Sequence, residues 1–578
     1  MAKKMMLGNA AVARGVYEAG CHFVSSYPGT PSTEITECLA TYEELHAEWA
    51  PNEKVAVESA MGASIAGGRA FSTMKHVGLN VAADPIFTAA YTGVNGGAVI
   101  AVADDMGMHS SQNEQDSRHY ARASKLPMLE PADSQECKDF AKYAFTLSEE
   151  YDTPVFLRLS TRNSHSQSEV ELGERENIPV KPYEKNISKY VMMPAKAKVR
   201  HVFVEERELK LRELAETTPL NRIEDNGAKI GVIVSGIAYQ YAKEAFGKNA
   251  SYLKLGLVYP LPVKLIEEFA KKVETLYVIE ELDDIFETHC KKHGINVIGK
   301  ELFSKIGEYS PELIRNKILG VPMPQGPLDA APVRPPVLCP GCPHRGLFYV
   351  LNKLKLAVSG DIGCYTLGAQ PPLESVDTTL CMGASISGLH GMNLAQDPEF
   401  AKKSVAVIGD STFFHSGMTG LLNIVYNQSP STVLILDNSI TGMTGHQQNP
   451  GTALTLQNKP APKANIEAIC RALGVARVSV VDPNEVKEVE RILKEELNTP
   501  EPSVIIVRRP CALLKYVKPQ PAFSVNRDKC IGCKLCLKIG CPCISMKDGK
   551  ATIDSSICTG CDLCSKMCPK GAIERGDA

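Results

Sequence analysis

The sequence predicts parallel α/β domains followed by a small cysteine-rich domain. Short apolar segments alternate with amphipathic or small-residue helices along most of the 578 residues, as is typical of parallel sheets covered by helices. Nine of the nineteen cysteines fall within the last 49 residues. A hydrophobic content of 44% is sufficient for the cores of several domains of ordinary size. We therefore expect a multidomain protein.

The first half of the chain divides into two α/β blocks. Residues 1–190 form the first block, which includes the strand-like segment GGAVIAVADD. Residues 191–228 carry the charged helical stretch VEERELKLRELAE and are predicted to be a linker. Residues 229–310 form the second block, which begins with the strand KIGVIVSG and contains the strand LYVIEE.

Prolines mark the start of the second half. Six prolines between Pro322 and Pro336 predict a stiff linker at residues 311–335, because proline fixes φ and favours extended spacers. A third α/β block follows at residues 336–516 and ends with the strand PSVIIVRRP. The cysteine-rich domain occupies residues 517–578.

Eight cysteines of the last domain have the spacing of [4Fe-4S] ligands. In a C-x2-C-x2-C-x3-C-P run, three thiolates hold one cluster and the fourth crosses to a second cluster. The spacing predicts Cys530, Cys533, Cys536 and Cys568 as ligands of one cluster, and Cys541, Cys558, Cys561 and Cys564 as ligands of the other. The first run has an extra residue before its Cys-Pro pair, and Cys543 follows as a spare thiol, so the second cluster has irregular ligand spacing.

Disulfides and structural zinc are the alternatives for these cysteines. Disulfides need an oxidising compartment, and the N-terminal MAKKMMLGNA lacks the apolar stretch of a signal peptide. Zinc explains C-x2-C pairs but leaves half of the thiols and both Cys-Pro pairs unexplained. We therefore expect two [4Fe-4S] clusters in a two-cluster ferredoxin domain.

Charge and hydropathy bear on location and partners. No apolar run approaches the roughly 18 residues of a membrane-spanning helix. The net charge is −3, and no long Lys/Arg block stands out. Neither nucleic acid nor a membrane is expected as a partner, and we expect a cytoplasmic protein.

The third block carries a candidate magnesium diphosphate site. Asp410 and Asn438 each follow or end a strand-like segment, SVAVIGD and STVLILDN, and 27 residues separate them. That length fits one crossover between neighbouring parallel strands, whose carboxyl ends bind ligands in open α/β sheets. Oxygen ligands beside Gly409 and a helix start suit Mg²⁺ shared with a diphosphate. An aspartate after a strand also commonly caps a helix, so the pattern alone leaves that alternative open.

The segments GDSTFFHSG and LDNSITGMTG resemble the thiamine diphosphate motif of the 2-oxoacid:ferredoxin oxidoreductases. The resemblance implies that Asp410 and Asn438 bind Mg²⁺ through their side chains and Ile440 through its carbonyl. Ser411 replaces a glycine that is common in the motif. The cofactor-binding residues that the resemblance implies are Cys364, Cys381, Gly383, Gly409, Asp410, Ser411, Asn438, Ile440, Met443 and Thr444.

The same resemblance implies catalytic residues in the first block. Glu58, in the charge-poor segment VAVESAMGASIAGGRA, matches the glutamate that activates the cofactor, and a close-packed interface is expected to raise its carboxyl pKa. Thr30 and Arg118 match contacts to the oxoacid carboxylate, with which an arginine pairs bidentately. An ordinary surface position is the alternative for Glu58 and Arg118.

Two further segments complete the resemblance. The middle block is similar to the transketolase-C-like domain of the family. CPGCPHRG, beginning at Cys339, is an alternative half of a zinc site with His344, but no second ligand pair follows at metal spacing. The resemblance places this segment at the start of the diphosphate-binding domain.

The order of the blocks resembles the α subunits of the indolepyruvate-oxidising members of this family. It implies oxidative decarboxylation of aryl 2-oxoacids to arylacetyl-coenzyme A and CO₂, with electrons passing through the clusters to ferredoxin. A separate γ-type domain is missing, which implies a smaller β subunit and an α2β2 assembly. The alternatives are another 2-oxoacid such as pyruvate or 2-oxoglutarate, a non-oxidative thiamine decarboxylase, and an electron-transfer subunit that only binds the cofactor.

Overall fold

The computed structural model describes residues 2–324, 326 and 335–575. These residues form two compact units, Met1–Ala330 and Ala331–Ala578. The proline-rich linker predicted at 311–335 lies partly outside the described residues, and its first part is helical. No helix in the described part of the chain has the length and apolarity needed to cross a bilayer.

The strands of the first unit belong to three sheets. In chain order they are β1 (Lys3–Leu7), β2 (Phe23–Ser26), β3 (His46–Trp49), β4 (Ala70–Lys75), β5 (Ala98–Asp104), β6 (Met128–Leu129), β7 (Val155–Ser160), β8 (Gln167–Glu171), β9 (Arg222–Glu224), β10 (Ile230–Ser235), β11 (Ala250–Leu255), β12 (Leu257–Tyr259) and β13 (Thr275–Ile279).

Helices connect and cover these strands. They are α1 (Gly8–Glu18), α2 (Thr33–Leu39), α3 (Glu53–Ile65), α4 (His76–Val81), α5 (Ala83–Thr92), α6 (Arg118–Ser124), α7 (Ser134–Glu150), α8 (Thr161–His165), α9 (Ile187–Tyr190), α10 (Pro194–Thr217), α11 (Gly236–Phe246), α12 (Val263–Ala270), α13 (Ile285–Lys292) and α14 (Pro311–Leu319). Short polar side chains start several of them; for example, Asn52 and Asp133 accept hydrogen bonds from the backbone N–H groups of Val55 and Glu136.

The largest sheet has the order β12-β6-β7-β5-β4-β2-β3 and is parallel except for the β12–β6 pair. Every residue of β5 is buried, as expected for a central strand of a covered parallel sheet. A second sheet has the order β13-β10-β11-β9, with only β9 antiparallel. Strands β1 and β8 form an antiparallel pair.

The predicted boundaries at residues 190 and 229 fall within one packed unit. Strand β12, from the second block, pairs with β6 of the first. The predicted linker 191–228 contains the 24-residue helix α10 and strand β9. Arg207 of α10 is buried and donates hydrogen bonds to the carbonyls of Ala90 and Asp152. A continuous apolar core includes Phe156 from the first block and Phe269 from the second. This segment is therefore an integral part of the unit.

The second unit contains a five-stranded parallel sheet and a small C-terminal domain. Its strands are β14 (Ala357–Ser359), β15 (Ser404–Gly409), β16 (Thr432–Asp437), β17 (Arg477–Val481), β18 (Ser503–Arg508), β19 (Phe523–Val525), β20 (Ile544–Lys547), β21 (Lys550–Ile553) and β22 (Ile573–Arg575). Its helices are α15 (His344–Leu354), α16 (Ala384–Ala395), α17 (Pro398–Ala401), α18 (Asp410–Thr412), α19 (Met418–Tyr426), α20 (Ile466–Ala472), α21 (Val486–Leu497) and α22 (Leu563–Lys566).

The parallel sheet has the order β14-β15-β16-β18-β17. Its central strands are fully buried apolar runs, and apolar cores cover both faces. The small domain is built on the antiparallel pairs β19–β22 and β20–β21. The carboxyl ends of β15 and β16 lie side by side, which brings their following residues together.

Candidate active site and cysteine clusters

Asp410 and Asn438 follow the adjacent strands β15 and β16 and are both buried. The amide nitrogen of Asn449 lies 3.4 Å from Asp410 Oδ2. Burial, together with the nearby carboxylate of Asp437, raises the pKa of Asp410 to about 7. A buried carboxylate and a buried asparagine at the ends of adjacent strands supply the kind of oxygen ligands that Mg²⁺ prefers, and a cation would offset the cost of burying the charge. The residues present therefore fit a Mg²⁺ ion.

Glycines allow close backbone approach around this site. A Cβ added at Gly409 would lie 2.6 Å from the ring of Tyr365, and one at Gly383 would lie 2.2 Å from Ser416 Oγ. Gly383 also has φ +86°, in the left-handed region that favours glycine. After Asp410 the helix passes through a π-helical turn, Phe413–Gly417, before it continues as α19. Such turns are frequent at functional sites.

Asp361 organises two of the glycine-rich turns, and sequence reasoning did not single it out. It is fully buried and accepts hydrogen bonds from the backbone N–H groups of Ile362, Gly383 and Ser385 at 2.8–3.0 Å. It therefore fixes the start of α16 against the turn after β14. An aspartate between Gly360 and Ile362 in the motif GDIG was the available signal.

The loop after Asn438 folds back over the same edge of the sheet. Its backbone closes through reciprocal hydrogen bonds between Thr441 and Gln447. The Thr441 hydroxyl donates to Ser411 Oγ at 2.9 Å, and the Thr444 hydroxyl donates to Gln447 Oε1 at 2.5 Å. Three predicted cofactor-binding residues lie in this loop. Ile440 is buried, Met443 is half exposed, and Thr444 is hydrogen bonded within the loop.

Four further cysteines surround this edge of the sheet, and only part of this group was expected. Cys364 lies beside Gly442, where an added Cβ would be 3.4 Å from its sulfur. The N–H of Cys511 donates to the carbonyl of Asn438 at 2.9 Å. Burial, with the nearby Cys511 and Cys339 thiols, raises the pKa of Cys364 to about 11.

The C-x2-C loop supplies the other members of the group. A Cβ at Gly341, between Cys339 and Cys342, would lie 3.4 Å from Cβ of Ala512, the neighbour of Cys511. We call Cys339, Cys342, Cys364 and Cys511 the sheet-edge thiols. They come from three distant segments, so no local spacing groups them; the sequence analysis singled out Cys364 and the pair Cys339 and Cys342 separately and did not single out Cys511. Cys381, also expected near the cofactor, is exposed.

The cysteines of the C-terminal domain line two small cavities. Cys530, Cys533, Cys536 and Cys568 line the first cavity. Cys541, Cys543, Cys558, Cys561 and Cys564 line the second cavity. The thiols are thus grouped as the spacing predicts, with Cys543 as an additional member of the second group.

At least four cysteines line each cavity, and four is the number of thiolates that hold a [4Fe-4S] cluster. Across the described residues, no three His, Cys, Asp or Glu side chains converge closely enough to hold a single metal ion.

Two of the expected catalytic residues of the first unit, Glu58 and Thr30, are exposed or partly exposed. Glu58 lies on α3 with its side chain 45% exposed, in an ion pair with Lys54. The close-packed environment expected around Glu58 is therefore not provided by its own unit. Thr30 is partly exposed between β2 and α2. The side chain of Lys75 lies along Gly29, where an added Cβ would be 3.3 Å from Lys75 Cδ.

The expectation that Arg118 contacts a substrate is wrong in this fold. Its side chain is 1% exposed and forms ion pairs of 2.6 Å with Asp116 and with Glu280. It also donates hydrogen bonds to the carbonyls of Glu281 and Asp283. Those carboxylates and carbonyls use the planar donor face that a substrate carboxylate would need. Arg118 therefore joins the first block to the second.

Three protein families match parts of the chain. "Pyruvate flavodoxin/ferredoxin oxidoreductase, thiamine diP-bdg" matches residues 14–218, "Thiamine pyrophosphate enzyme, C-terminal TPP binding domain" matches residues 361–507, and "4Fe-4S binding domain" matches residues 551–574. With the parallel sheets and the cysteine cavities, these matches define a thiamine-diphosphate-dependent 2-oxoacid oxidoreductase that carries [4Fe-4S] clusters.

Relatives of known name show which family within this class the chain belongs to. The chain is 40% identical to "Indolepyruvate oxidoreductase subunit IorA" of Pyrococcus horikoshii, over 99% of this chain and 97% of that protein. It is 41% identical to the protein of the same name from Archaeoglobus fulgidus, over 99% and 97%. "2-oxoglutarate synthase subunit KorA" of Methanothermobacter marburgensis is 27% identical, over 54% of this chain and 98% of that protein. The chain belongs to the indolepyruvate oxidoreductase subunit IorA family.

Proposed function

We propose that this chain is the thiamine-diphosphate-binding subunit of an enzyme that oxidatively decarboxylates aryl 2-oxoacids, with indolepyruvate as its substrate. The observation that carries the proposal is the 40% identity, over nearly the whole chain, to proteins named indolepyruvate oxidoreductase. One 2-oxoacid anion and one coenzyme A give one acyl-coenzyme A, one CO₂, one proton and two electrons. Ferredoxin is the proposed acceptor of those electrons.

The second unit holds the cofactor in this proposal. Asp410, Asn438 and the carbonyl of Ile440 bind Mg²⁺ and orient the diphosphate. Gly383 and Gly409 allow close approach to it. The remaining proposed wall residues are Cys364, Cys381, Ser411, Met443 and Thr444. Thiamine diphosphate, when bound, supplies a carbon nucleophile and an electron sink.

Glu58 is proposed to exchange a proton with the aminopyrimidine of the cofactor. Its exposure on α3 leaves the carboxylate accessible to a cofactor or a covering subunit. Glu58→Gln should lower kcat at least 100-fold, as general acid–base groups contribute about 10²–10⁴-fold, while the clusters stay intact. A Lys54→Gln variant, which removes only the ion-pair partner, is the matched control. An active Glu58→Gln enzyme would contradict the role.

Lys75 replaces Arg118 as the proposed cation for the substrate carboxylate, acting with Thr30. The side chain lies next to the Gly29–Thr30 turn, and its ammonium donates to the carbonyl of Ser110 at 2.6 Å. Burial lowers the pKa of Lys75, so an anionic partner would stabilise its charge. Lys75→Ala should raise KM about tenfold or more, with a smaller change in kcat, and Lys75→Arg should retain part of the affinity.

The sheet-edge thiols are proposed to hold a third [4Fe-4S] cluster next to the cofactor. The C-x2-C loop that supplies two of them also meets the second cysteine cavity, because Gly341 and Arg345 line that cavity. Electrons would then pass from the cofactor through this cluster to the C-terminal clusters. Anaerobically purified enzyme should contain about twelve iron atoms per chain, four for each cube. Cys511→Ala should reduce this number to about eight.

A smaller β subunit is proposed as the partner, in an α2β2 heterotetramer that also binds coenzyme A. The word "subunit" in the names of the relatives supports a second polypeptide. Size-exclusion chromatography with light scattering of the co-expressed subunits would measure the stoichiometry.

The decisive assay compares indolepyruvate, phenylpyruvate, pyruvate and 2-oxoglutarate under anaerobic conditions with coenzyme A and a one-electron dye. We expect coenzyme A-dependent dye reduction that strongly favours the aryl substrates. A preference for pyruvate or 2-oxoglutarate would reject the substrate but keep the reaction class. Aldehyde release without dye reduction would reject oxidative decarboxylation.

A further inference from the structure

The two cysteine cavities of the C-terminal domain differ in the number of thiols that line them. The first cavity has four, which equals the number of irons in a [4Fe-4S] cluster. The second cavity has five, because Cys541 and Cys543 both line it. One thiol in the second cavity is therefore in excess of what a single cluster needs.

The other half of the domain provides an internal comparison. The Cys-Pro pair of the first run continues as Cys541-Pro542-Cys543, and that of the second run continues as Cys568-Pro569-Lys570. Lys570 lines the first cavity, as Cys543 lines the second. The position two residues after the crossing cysteine thus faces the cavity in both halves, but only one half has a thiol there.

Local contacts hold both candidate ligands at the second cavity. The N–H of Ile544 donates to the carbonyl of Cys541 at 3.1 Å, and the N–H of Asp554 donates to the carbonyl of Cys543 at 2.8 Å. Cys543 is only 4% exposed, and its thiol lies near that of Cys541. Cys543 is therefore packed inside the cavity beside the crossing ligand, where it can reach the same iron.

We propose that Cys543 is an alternative fourth ligand for the cluster bound by Cys558, Cys561 and Cys564, interchangeable with Cys541. The inference rests on the clusters of the proposed function. In the exchange, the Fe–S bond to Cys541 breaks as the bond to Cys543 forms. The proton of the Cys543 thiol moves to the Cys541 sulfur, and the oxidation states of the irons do not change.

The test is cluster retention in the anaerobic holoenzyme, co-expressed with its partner, for Cys541→Ala, Cys543→Ala and the double variant. Iron content and the EPR spectrum after dithionite reduction are the readouts, so no substrate turnover is needed. Each single variant should keep the iron content and the interacting cluster signals of the wild type. The double variant should lose up to four irons per chain, as expected for one cube.

Cys568→Ala is the matched control in the other cavity, where no spare thiol is present. It should lose iron as the double variant does, and adding Lys570→Cys should restore that iron. If Cys541→Ala matches the double variant, by iron loss or by failure to fold, Cys541 is the sole ligand and the proposal is overturned. It is also overturned if Cys543→Ala alone loses the cluster, or if the double variant keeps it. A wild-type enzyme without [4Fe-4S] signals would instead reject the proposed function.

Discussion

At the scale of single residues, Glu281 shows how burial changes the pKa of a carboxyl group. Glu281 is buried in the first unit and accepts a hydrogen bond from the N–H of Tyr309 at 2.8 Å. Burial raises its pKa from 4.5 to about 7, and nearby Glu308 adds to this effect. Between these two pH values the unfolded chain releases the proton while the folded chain keeps it.

Stability of the first unit should therefore fall as pH rises from 5 to 7, by roughly 1.4 kcal/mol per pH unit from this group, and then level off. Glu281→Gln removes the titration and keeps the acceptor for Tyr309. The variant should match the wild type near pH 5 and unfold at a higher temperature at pH 8. Differential scanning calorimetry across this pH range measures the difference. Parallel pH profiles for the two proteins would contradict the assignment.

Gly383 shows a constraint on backbone shape beside the cofactor site. Gly383→Ala places a methyl group against Ser416 at a residue with φ +86°, which costs roughly 1–3 kcal/mol in backbone strain alone. We expect at least a tenfold loss of thiamine diphosphate affinity, measured by calorimetric titration.

Gly391→Ala is the control on the same helix, α16, since nothing lies within 4 Å of the added methyl. That variant should bind the cofactor normally and gain up to about 1 kcal/mol in stability, because alanine favours helix. If both variants lost the same affinity for thiamine diphosphate, the loss would come from a general change in helix α16, and the specific constraint at Gly383 would be contradicted.

The surroundings of single residues were the least predictable feature of the sequence. The motif around Arg118 predicted a contact with the substrate carboxylate. It does not reveal that Glu280, which is distant in sequence, forms an ion pair with Arg118 in the fold. Glu58 was expected in a close-packed interface and is exposed within its own unit. The sheet-edge thiols come from three separate segments, and only the fold brings them together. Long-range pairing of this kind has no local sequence signal.

At the scale of elements, Arg345 at the start of α15 links two functional loops. Its buried guanidinium donates to the carbonyls of Leu338 and Cys339 in the C-x2-C loop, and to those of Ile539 and Gly540 before Cys541. It therefore fixes the C-x2-C loop, which carries Cys339 and Cys342, relative to the second cysteine cavity.

Arg345→Gln should loosen this link, since each buried carbonyl left without a partner costs roughly 1–3 kcal/mol. We expect unchanged thiamine diphosphate affinity but slower reduction of the C-terminal clusters by substrate, followed by stopped-flow absorbance. Arg345→Lys keeps the charge without the fork and should be intermediate. Normal cluster reduction in Arg345→Gln would argue against a positioning role.

Strongly apolar strands were predicted well at this scale. GGAVIAVADD, KIGVIVSG, SVAVIGD and STVLILDN correspond to β5, β10, β15 and β16. These strands are buried on both faces, so their composition alone distinguishes them from surface segments. The short strand β12 and the packing of α10 were not predicted, because both depend on partners far away in sequence.

At the scale of the whole molecule, the chain should unfold as two cooperative units. The first unit shares one apolar core across the predicted boundaries. Buried ion pairs also cross them, including Arg118 with Glu280. A fragment of residues 1–190 should therefore aggregate or remain unfolded, whereas residues 1–324 should fold. Circular dichroism and proteolysis of the two fragments measure this, and a stable 1–190 fragment would contradict it.

The crossing of the two cysteine runs affects how the protein is made. With the proposed ligands, the first cluster needs Cys568 in addition to Cys530, Cys533 and Cys536, and the second needs Cys541 in addition to three later cysteines. Synthesis proceeds from the N-terminus and domains fold as they emerge, so the parallel sheet is complete before either ligand set exists. Delivery of iron to these two clusters is consequently a late maturation step, and the domains before Cys530 must fold without help from them.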